Sequence, residues 1–544
     1  MSSARMWRRR RESISERTAK RCAPFRRKRC SRTKIPRIGR RIWTNCSANT
    51  REGRSSIRMR SKLRMRWGGR LRSAPTDPRK CPELGSILTH ARPLRGGMIN
   101  PYAYTMEHKA KGGISMSLEI GSAKVDITPE QAVPLAGFAV RQNKPFEDVH
   151  SRLYLRALYL RERKEDGTVS NAVIVSADLL WWGSDRVPII RQKLHERWGL
   201  EPAAIVLNGT HSHSGPQTSF VFHRLLGQAD AGYVDFLENR LYEAIGQAER
   251  SAEPVALEKG VASSDIGIQR RLYKNGKVAG GYNPDGPADP EVTVIRARTE
   301  RGTTKAVIVH YTCHPVTTNV NRVSSEFTGA AMDKLETRLG GQTVCLFLQG
   351  ACGDINIFKS SAPAELTDEY AIIDYFGSRL ADTVSGVLDA EMRRLEPAVL
   401  KGTACEQPLP LKRLPGREQL EQMAAKGESP YDEWAVAMLA MLEERPQQLV
   451  LEMNRLDIAE GLSLLVMNAE VVVEYGLFLK ERSGGQILPV PYSNGMIGYV
   501  PTKKQIGYGG YEPVLSTYYF HMPSTFEESI EETIRARIGE IVRE

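Results

Sequence analysis

Apolar and polar residues follow two different rhythms along most of the chain, and these rhythms predict alternating strands and helices. Short apolar runs bounded by turn formers are typical of buried strands, whereas apolar residues three or four positions apart are typical of helices. The predicted strands are 118–128, 154–162, 172–177, 205–207, 292–297, 305–313, 343–348, 449–458 and 462–467. The predicted helices are 185–200, 232–248, 328–339, 370–392, 418–426, 433–444 and 525–542, and another opens near Glu470. We see no repeat and no interior linker, so the pattern predicts an α/β fold in which one large domain has a mixed β-sheet core flanked by helices.

The first 115 residues show neither rhythm. They hold 32 basic and 6 acidic side chains, whereas the remaining residues hold 45 basic and 57 acidic ones. The net charge of +14 therefore comes from this segment and does not indicate a specific nucleic-acid partner for the folded part. We predict that residues 1–115 are a disordered basic extension, with a nucleic-acid-binding arm or a transit peptide as the functional readings. Our preferred hypothesis is that translation begins at Met116 or Met106, which leaves 116–544 as the domain.

Cysteine usage and hydropathy place few further constraints on the class of protein. The eight cysteines show no C-x-x-C pair and no zinc-finger spacing, so neither a disulfide framework nor a thiolate zinc site is indicated. No apolar run approaches the roughly 18 to 20 residues that span a bilayer, and no secretion-type segment is evident. We predict a cytoplasmic protein without a transmembrane segment, and the sequence leaves its oligomeric state unknown.

Two histidines follow the predicted strand 205–207, in the stretch Asn208-Gly-Thr-His-Ser-His-Ser-Gly-Pro216. On an extended backbone His211 and His213 would leave the same face, because side chains alternate along a strand. Two imidazoles on one face can bind one metal ion, or hold a metal and a substrate together. A hydrogen-bonded pair in a polar turn is the alternative.

Two further ligand-type residues stand at the ends of predicted strands. His314 ends the strand 305–313 at a proline, and Glu470 lies just beyond the strand 462–467. Catalytic zinc sites gather imidazole and carboxylate ligands in this way and leave one position open for water. Taken one at a time, His314 could cap a turn and Glu470 could satisfy free N–H groups at a helix start. Together with the histidine pair they predict a metal site at the strand ends of a catalytic domain.

Several blocks in a fixed order resemble the neutral/alkaline non-lysosomal ceramidases, a family of zinc-dependent amidases. The resemblance covers roughly residues 118–515, and the blocks that carry it are Lys124–Pro129, Leu135–Phe138, Arg152–Ala157, Val175–Asp178, Gly209–Pro216 and His314–Val316. It implies one Zn²⁺ per chain, bound by His211, His314 and Glu470 with Tyr499 as a fourth ligand. It also implies active-site roles for His213, Arg270 and Tyr511, although Arg270 and Arg271 differ by one position and could be exchanged.

One position departs from the family's pattern. The family's G-D-V-S-P-N segment, whose serine has been proposed as a nucleophile, is here Gly353-Asp-Ile-Asn-Ile-Phe358, so Asn356 replaces the serine. An amide is not a useful nucleophile, so we expect hydrolysis through zinc-activated water. Cys352 is close in sequence, but an apolar strand end is more typical of an inert, packed thiol.

These observations predict a zinc-dependent hydrolase of linear amide (N-acyl) bonds, with a small-molecule or lipid-like N-acyl substrate. We expect this member to lack the immunoglobulin-like domain that the family carries at its C-terminus, because the chain stops near Glu544, so a small soluble amide or ester is an alternative to ceramide. Another alternative is a non-catalytic metal- or ligand-binding homologue, which the replacement at Asn356 motivates. An amidohydrolase barrel also uses an H-x-H pair, but on its first strand, whereas two or three predicted strands come before His211.

Overall fold

A large, curved β-sheet positions two of the predicted metal ligands, His211 and His314, just beyond the ends of its strands. The computed structural model describes residues 117–164, 166–274 and 276–544, and the predicted extension 1–115 lies outside these residues. The described residues belong to one compact unit, Thr105–Glu544.

The described residues form nineteen strands and ten α-helices. The strands are β1 (Ser117–Asp126), β2 (Tyr154–Arg163), β3 (Val169–Ala177), β4 (Ile205–Gly209), β5 (Glu253–Ser263), β6 (Gly267–Lys274), β7 (Lys277–Asn283), β8 (Glu291–Thr299), β9 (Thr304–Tyr311), β10 (Val344–Gln349), β11 (Ile355–Ile357), β12 (Arg393–Arg394), β13 (Pro397–Thr403), β14 (Glu406–Pro410), β15 (Gln448–Ala459), β16 (Leu462–Met467), β17 (Glu470–Val471), β18 (Ile487–Val490) and β19 (Tyr499–Val500). The α-helices are α1 (Val187–Trp198), α2 (Ala231–Arg250), α3 (Glu326–Arg338), α4 (Glu369–Asp389), α5 (Arg417–Ala425), α6 (Tyr431–Ala440), α7 (Val473–Ser483), α8 (Lys503–Tyr508), α9 (Ser516–Tyr519) and α10 (Ile530–Arg543).

The main sheet curls so that its two edges meet. Its strand order within the described chain is β10-β9-β8-β5-β1-β2-β3-β4, so β4 and β10 are opposite edges. Nevertheless Ser176 in β3 donates a hydrogen bond to the carbonyl of Phe347 in β10, at 2.6 Å. At the ends of the edge strands, the backbone N–H of Gln349 donates to the side-chain oxygen of Asn208, at 3.2 Å. The curl therefore brings the carboxyl ends of β4 and β10 to one place.

A second sheet, in which β13, β15, β16 and β18 follow one another, packs against the first. The contact is an apolar layer to which both sheets contribute, including Ile174 and Leu346 from the first and Leu456 and Leu464 from the second. Helices cover the other faces: α1 and α2 cover β1–β4, α3 and α4 cover β8–β10, and α7 and α10 cover the second sheet. Burial on both faces explains why most of residues 172–177 in β3, and most of β16, are apolar.

Local sequence signals set several helix boundaries. The side chain of Asp230 accepts a hydrogen bond from the N–H of Tyr233 at the start of α2, and Asp368 caps α4 in the same way. Helices α1 and α7 end at Gly199 and Gly484, both in the left-handed conformation that glycine adopts without steric cost. No helix in the described residues is both long and apolar enough to cross a membrane.

The predicted fold class, a mixed α/β fold with a sheet core flanked by helices, is confirmed. The hydrophobic pattern missed β5, β6 and β7, whose residues are mostly charged, small or half-exposed. A helix does open near Glu470, since α7 begins at Val473, but Glu470 itself lies in the short strand β17. The pairing of β17 with β19 accounts for the difference, since it holds the backbone of Glu470 extended.

Candidate metal centre and active site

His211 follows β4 in a conformation that the sequence pattern did not predict. Its φ is +68°, in the left-handed region, so the H-x-H stretch is a turn rather than a continuation of the strand. Two contacts hold this turn: the backbone N–H of His211 donates to the carbonyl of Leu179, and its Nδ1 donates to the carbonyl of Leu180, both at 2.9 Å. The expected arrangement of His211 and His213 on one face of an extended strand is therefore wrong. The turn nevertheless brings their Nε2 atoms within 3.3 Å.

His314 follows β9 and is held by the turn after β10. Its backbone forms a parallel bridge with Asn356, and its N–H donates to the carbonyl of Ile355 at 3.0 Å. Its Nδ1 contacts the carbonyls of Cys352 and Ile355, at 2.5 and 3.2 Å. A carbonyl can only accept, so Nδ1 carries the proton in both His211 and His314. Their Nε2 atoms are therefore the positions left to bind a metal ion, or to carry a second proton in its absence.

Glu470 and Tyr499 are direct neighbours in the two-stranded parallel ladder of β17 and β19. Both residues are buried. The Oε2 atom of Glu470 has no hydrogen-bond donor among the described residues. Burial, followed by the charge of Glu470, raises the pKa of the Tyr499 phenol well above its usual value.

Three ligand-type atoms converge on one point. His211 Nε2 lies 3.0 Å from His314 Nε2, and Glu470 Oε2 lies 3.3 and 3.4 Å from these two atoms. Ligand atoms bound tetrahedrally to zinc at about 2.0–2.1 Å would be about 3.3–3.4 Å apart. Two facing imidazole lone pairs repel each other, and a buried carboxylate oxygen without a donor is costly, unless a cation lies between them. The residues present therefore fit a bound metal ion.

His213 belongs to the same cluster. The ligand nitrogens of His211, His213 and His314 all lie within 4.8 Å of one another, so His213 is placed as a possible further ligand as well as a group beside the substrate. The ring of His213 packs on Phe138, with centroids 4.8 Å apart, and Arg141 donates to its backbone carbonyl. A Cβ on Gly137 would lie 2.3 Å from His213 Nδ1, and the φ of Gly137 is +98°. Only glycine fits there without displacing the ring.

The pKa shifts favour the protonation states that a metal ion requires. Burial, then the neighbouring His211, lowers the pKa of His314 to about 4. Burial, then His211 and His314, lowers the pKa of His213 well below its usual value. Burial would raise the pKa of Glu470, but the charge and the hydrogen bonds that His211 and His314 supply when protonated outweigh it and hold this pKa below its usual range. At neutral pH, His213 and His314 are therefore neutral and Glu470 is ionised, as metal binding needs.

Arg270 in β6 connects the metal cluster to the predicted active-site tyrosines. Its guanidinium donates to the hydroxyl of Tyr499 at 3.2 Å, to Oδ1 of Asn356 at 3.2 Å and to Glu512 at 2.9 Å. It also lies over the ring of Tyr511, 5.9 Å from the centroid. Arg271 instead binds Glu512 and the carbonyl of Gly509, so Arg270 is the arginine that faces the site.

A cavity of about 410 Å³ opens beside the cluster. His213, Arg270, Asn356, Tyr499 and Tyr511 are among the residues that line it. Because arginine can only donate, Asn356 must direct its Oδ1 to Arg270, which leaves its NH₂ group available to the cavity. Cys352 is not among the residues that line this cavity. Its thiol has a raised pKa, and burial is the main cause. Its sulfur contacts the hydroxyl of Tyr492 at 3.2 Å, which supports the reading of a packed, inert thiol.

Sequence reasoning missed four residues around the site. Arg141 donates a hydrogen bond to His213, Glu512 accepts one from Arg270, and Lys359 and Glu369 line the cavity. Glu512 adjoins the predicted Tyr511, which is a weak signal. Lys359 and Glu369 carry none, because in sequence they are indistinguishable from a pair of charged residues on a solvated surface.

Comparisons with known proteins give the family. A family model described as "Neutral/alkaline non-lysosomal ceramidase, N-terminal" matches residues 118–399, just over half of the chain. Neutral ceramidase A of Dictyostelium discoideum is 26% identical over 264 residues, which are 46% of this chain and 36% of that protein. Neutral ceramidase B of the same organism is 26% identical over 251 residues, 43% of this chain and 34% of that protein. The matched stretch thus spans about a third of the length of these relatives.

The fold is similar to that of a solved ceramidase. The crystal structure of neutral ceramidase from Pseudomonas aeruginosa aligns with a TM-score of 0.61 and 16% sequence identity, covering 78% of this chain and 74% of that one. The family match includes His211, His213, Arg270 and His314 but ends before Glu470. With more than half of its residues matched in order, the chain belongs to the neutral/alkaline non-lysosomal ceramidase family.

Proposed function

We propose that the protein is a zinc-dependent hydrolase that cleaves linear amide (N-acyl) bonds. The observation that carries this proposal is the convergence of His211, His314 and Glu470 on one point beside an open cavity. Family membership supports the reaction type, since the named relatives are neutral ceramidases. Ceramide is therefore the first substrate to test.

The metal site is assigned to His211, His314 and Glu470, with Tyr499 as the fourth ligand that the family resemblance implies. A zinc ion held there would polarise the scissile carbonyl and lower the pKa of a bound water to about 7. Tyr499 is tied to Arg270 by a hydrogen bond, so it is held in place beside the cavity.

The chain's own side chains supply proton transfer and charge stabilisation. His213 is neutral and lines the cavity, so its imidazole can accept the proton of the attacking water and pass it to the leaving amine. Arg270 and Tyr511 line the same cavity and donate to the tetrahedral oxyanion. One well-placed donor contributes roughly 3 kcal/mol to such a transition state.

Asn356 has a different role from the serine found at this position in the family. With Oδ1 engaged by Arg270, its NH₂ group is a further donor toward the substrate. It can neither form an acyl intermediate nor act as a base, which leaves water as the nucleophile.

Metal analysis combined with turnover of an N-acyl substrate panel tests this proposal. We expect one zinc per chain and hydrolysis of at least one substrate, both abolished by His211→Ala. Replacing the exposed His195, which lies in α1, provides the matched control and should leave both unchanged. Stoichiometric zinc without turnover on any substrate would favour a metal-binding homologue that lacks catalysis. Full metal content in His211→Ala would refute the ligand assignment.

A further inference from the structure

Two groups of residues with different chemistry line the cavity besides those assigned to the reaction. Phe138, Ala139, Leu226 and Val316 form an apolar group, whereas Asn319, Lys359 and Glu369 form a polar one. The lining therefore suits a hydrocarbon chain only in part, because polar groups lose hydrogen bonds to water when an alkyl chain covers them.

Within the polar group, Lys359 and Glu369 form an ion pair. Lys359 Nζ donates to the carbonyl of Thr317 at 2.6 Å and lies 3.4 Å from Glu369 Oε1. The other oxygen of Glu369 accepts a hydrogen bond from the hydroxyl of Thr318. These backbone and side-chain contacts hold both charges against the loop 317–319, so the pair is part of the wall.

Both charges remain accessible. The side chains of Lys359 and Glu369 are 34% and 35% exposed. An ammonium has three donors, and the contacts of Lys359 account for two of them, so one remains for a ligand or water. An alkyl chain lying on this wall would remove water from both charges without replacing its hydrogen bonds, which is unfavourable. A hydroxyl, carboxylate or ammonium group on the substrate would replace those bonds.

The dimensions agree with a small substrate. The volume of about 410 Å³ is toward the lower end of the roughly 300–1,000 Å³ typical of small-molecule sites. Lys359 lies three residues after Asn356, so their α-carbons are at most about 11 Å apart. A polar group on an arm of several atoms can therefore reach the ion pair while its amide lies beside Asn356.

We propose that the preferred substrate is a small, water-soluble N-acyl compound with one arm that ends in a polar or charged group. Two-chain ceramides are poorer substrates. This inference rests on the proposed amide hydrolysis and specifies its substrate class.

Two series of amides test the inference in the zinc-loaded, full-length protein. One series keeps a hexanoyl chain and varies the amine arm among alkyl, hydroxyl, carboxylate and ammonium ends of equal length; the other varies the acyl arm in the same way. N-hexadecanoyl sphingosine in mixed micelles is the lipid comparison. We expect kcat/KM for at least one polar-ended amide to exceed that of its alkyl counterpart and of the ceramide by about tenfold or more.

The double variant Lys359→Met/Glu369→Gln should lose this preference and accept the alkyl arm at least as well. The matched control is Lys334→Met/Asp374→Asn, because that ion pair joins α3 and α4 outside the cavity. A non-hydrolysable ketone analogue of the best substrate, titrated by calorimetry, should bind more weakly to the first double variant only. Turnover that favours ceramide or alkyl arms would overturn the inference but would leave the proposed amidase activity standing. Turnover of none of the substrates would contradict both the proposed function and the inference.

Discussion

Two carboxylates near the site are almost equally buried, yet their environments have opposite effects. Glu470 is 2% exposed and Glu326 is fully buried. The imidazoles of His211 and His314 face Glu470 and lower its pKa despite burial. Glu326 forms no ion pair within the described residues, and burial raises its pKa to about 7. Burial alone therefore does not make a metal ligand; the distinguishing feature is the pair of imidazole Nε2 atoms directed at the same point as the carboxylate.

Glu470→Gln should have the largest effect, because it removes the negative charge from the cluster. We expect zinc affinity to fall by more than about a hundredfold, since even changes to residues behind the ligands cost 10–100-fold. Hydrolysis should fall with it. Competition titration against a chromophoric chelator measures the affinity. Glu326→Gln is the matched control, and an equal loss of zinc in that variant would mean that the two sites do not differ as described.

Removing the metal should lower the stability of the folded protein, and this loss should depend on the ligands of the cluster. Zinc at a hundred times its dissociation constant stabilises the folded state by about 2.7 kcal/mol, because it binds the folded chain. Thermal unfolding with and without a chelator should therefore show a lower Tm for the metal-free protein. The shift should be retained in Glu326→Gln and absent in Glu470→Gln. A shift that persists in Glu470→Gln would place the stabilising ion elsewhere.

Glu326→Gln should change how stability depends on pH. The folded-state pKa of Glu326 is raised, so between about pH 4.5 and 7 the folded state binds more protons than the unfolded state. This contribution favours folding at low pH and is lost as pH rises to about 7, at a cost of up to about 3 kcal/mol. The variant should be more stable than the parent at pH 8, with a flatter profile between pH 4.5 and 7. Urea unfolding across this range measures it, and unchanged profiles would contradict the raised pKa.

Gly137→Ala should have the smallest effect and should separate packing from metal binding. The added Cβ would push the ring of His213 while leaving Glu470 and His314 in place, so we expect about a tenfold loss of kcat with zinc content retained. Gly167 is a matched control, because its φ is +83° but no atom lies within 4 Å of an added Cβ. Gly167→Ala should therefore lose stability but not activity. An equal loss of kcat in both variants would show that backbone strain, rather than displacement of His213, is responsible.

The fold class was predictable because buried strands and helices leave strong periodic signals. The buried part of β3, residues 172–177, and the strands β10 and β16 are mostly apolar, and the pattern located them within a few residues. The pattern missed β6, because its sequence GIQRRLYK has two arginines at its centre, of which Arg270 faces the active site. Charged strands of this kind look like loops until a tertiary partner such as Glu512 is known.

The site was predictable only in part. Ligand-type residues at strand ends pointed to His211, His314 and Glu470, and the structure brings these side chains together. The reason for their convergence, a curled sheet whose edges β4 and β10 meet, depends on long-range packing that no local pattern encodes. The ligand roles, like the cytoplasmic location, remain predictions.

The most direct test is anomalous scattering at the zinc edge from crystals of the zinc-loaded protein. We predict one strong peak about 2.0–2.2 Å from His211 Nε2, His314 Nε2 and a carboxylate oxygen of Glu470. A protein that hydrolyses an N-acyl substrate while no metal peak lies among these three residues would contradict the proposed metal site.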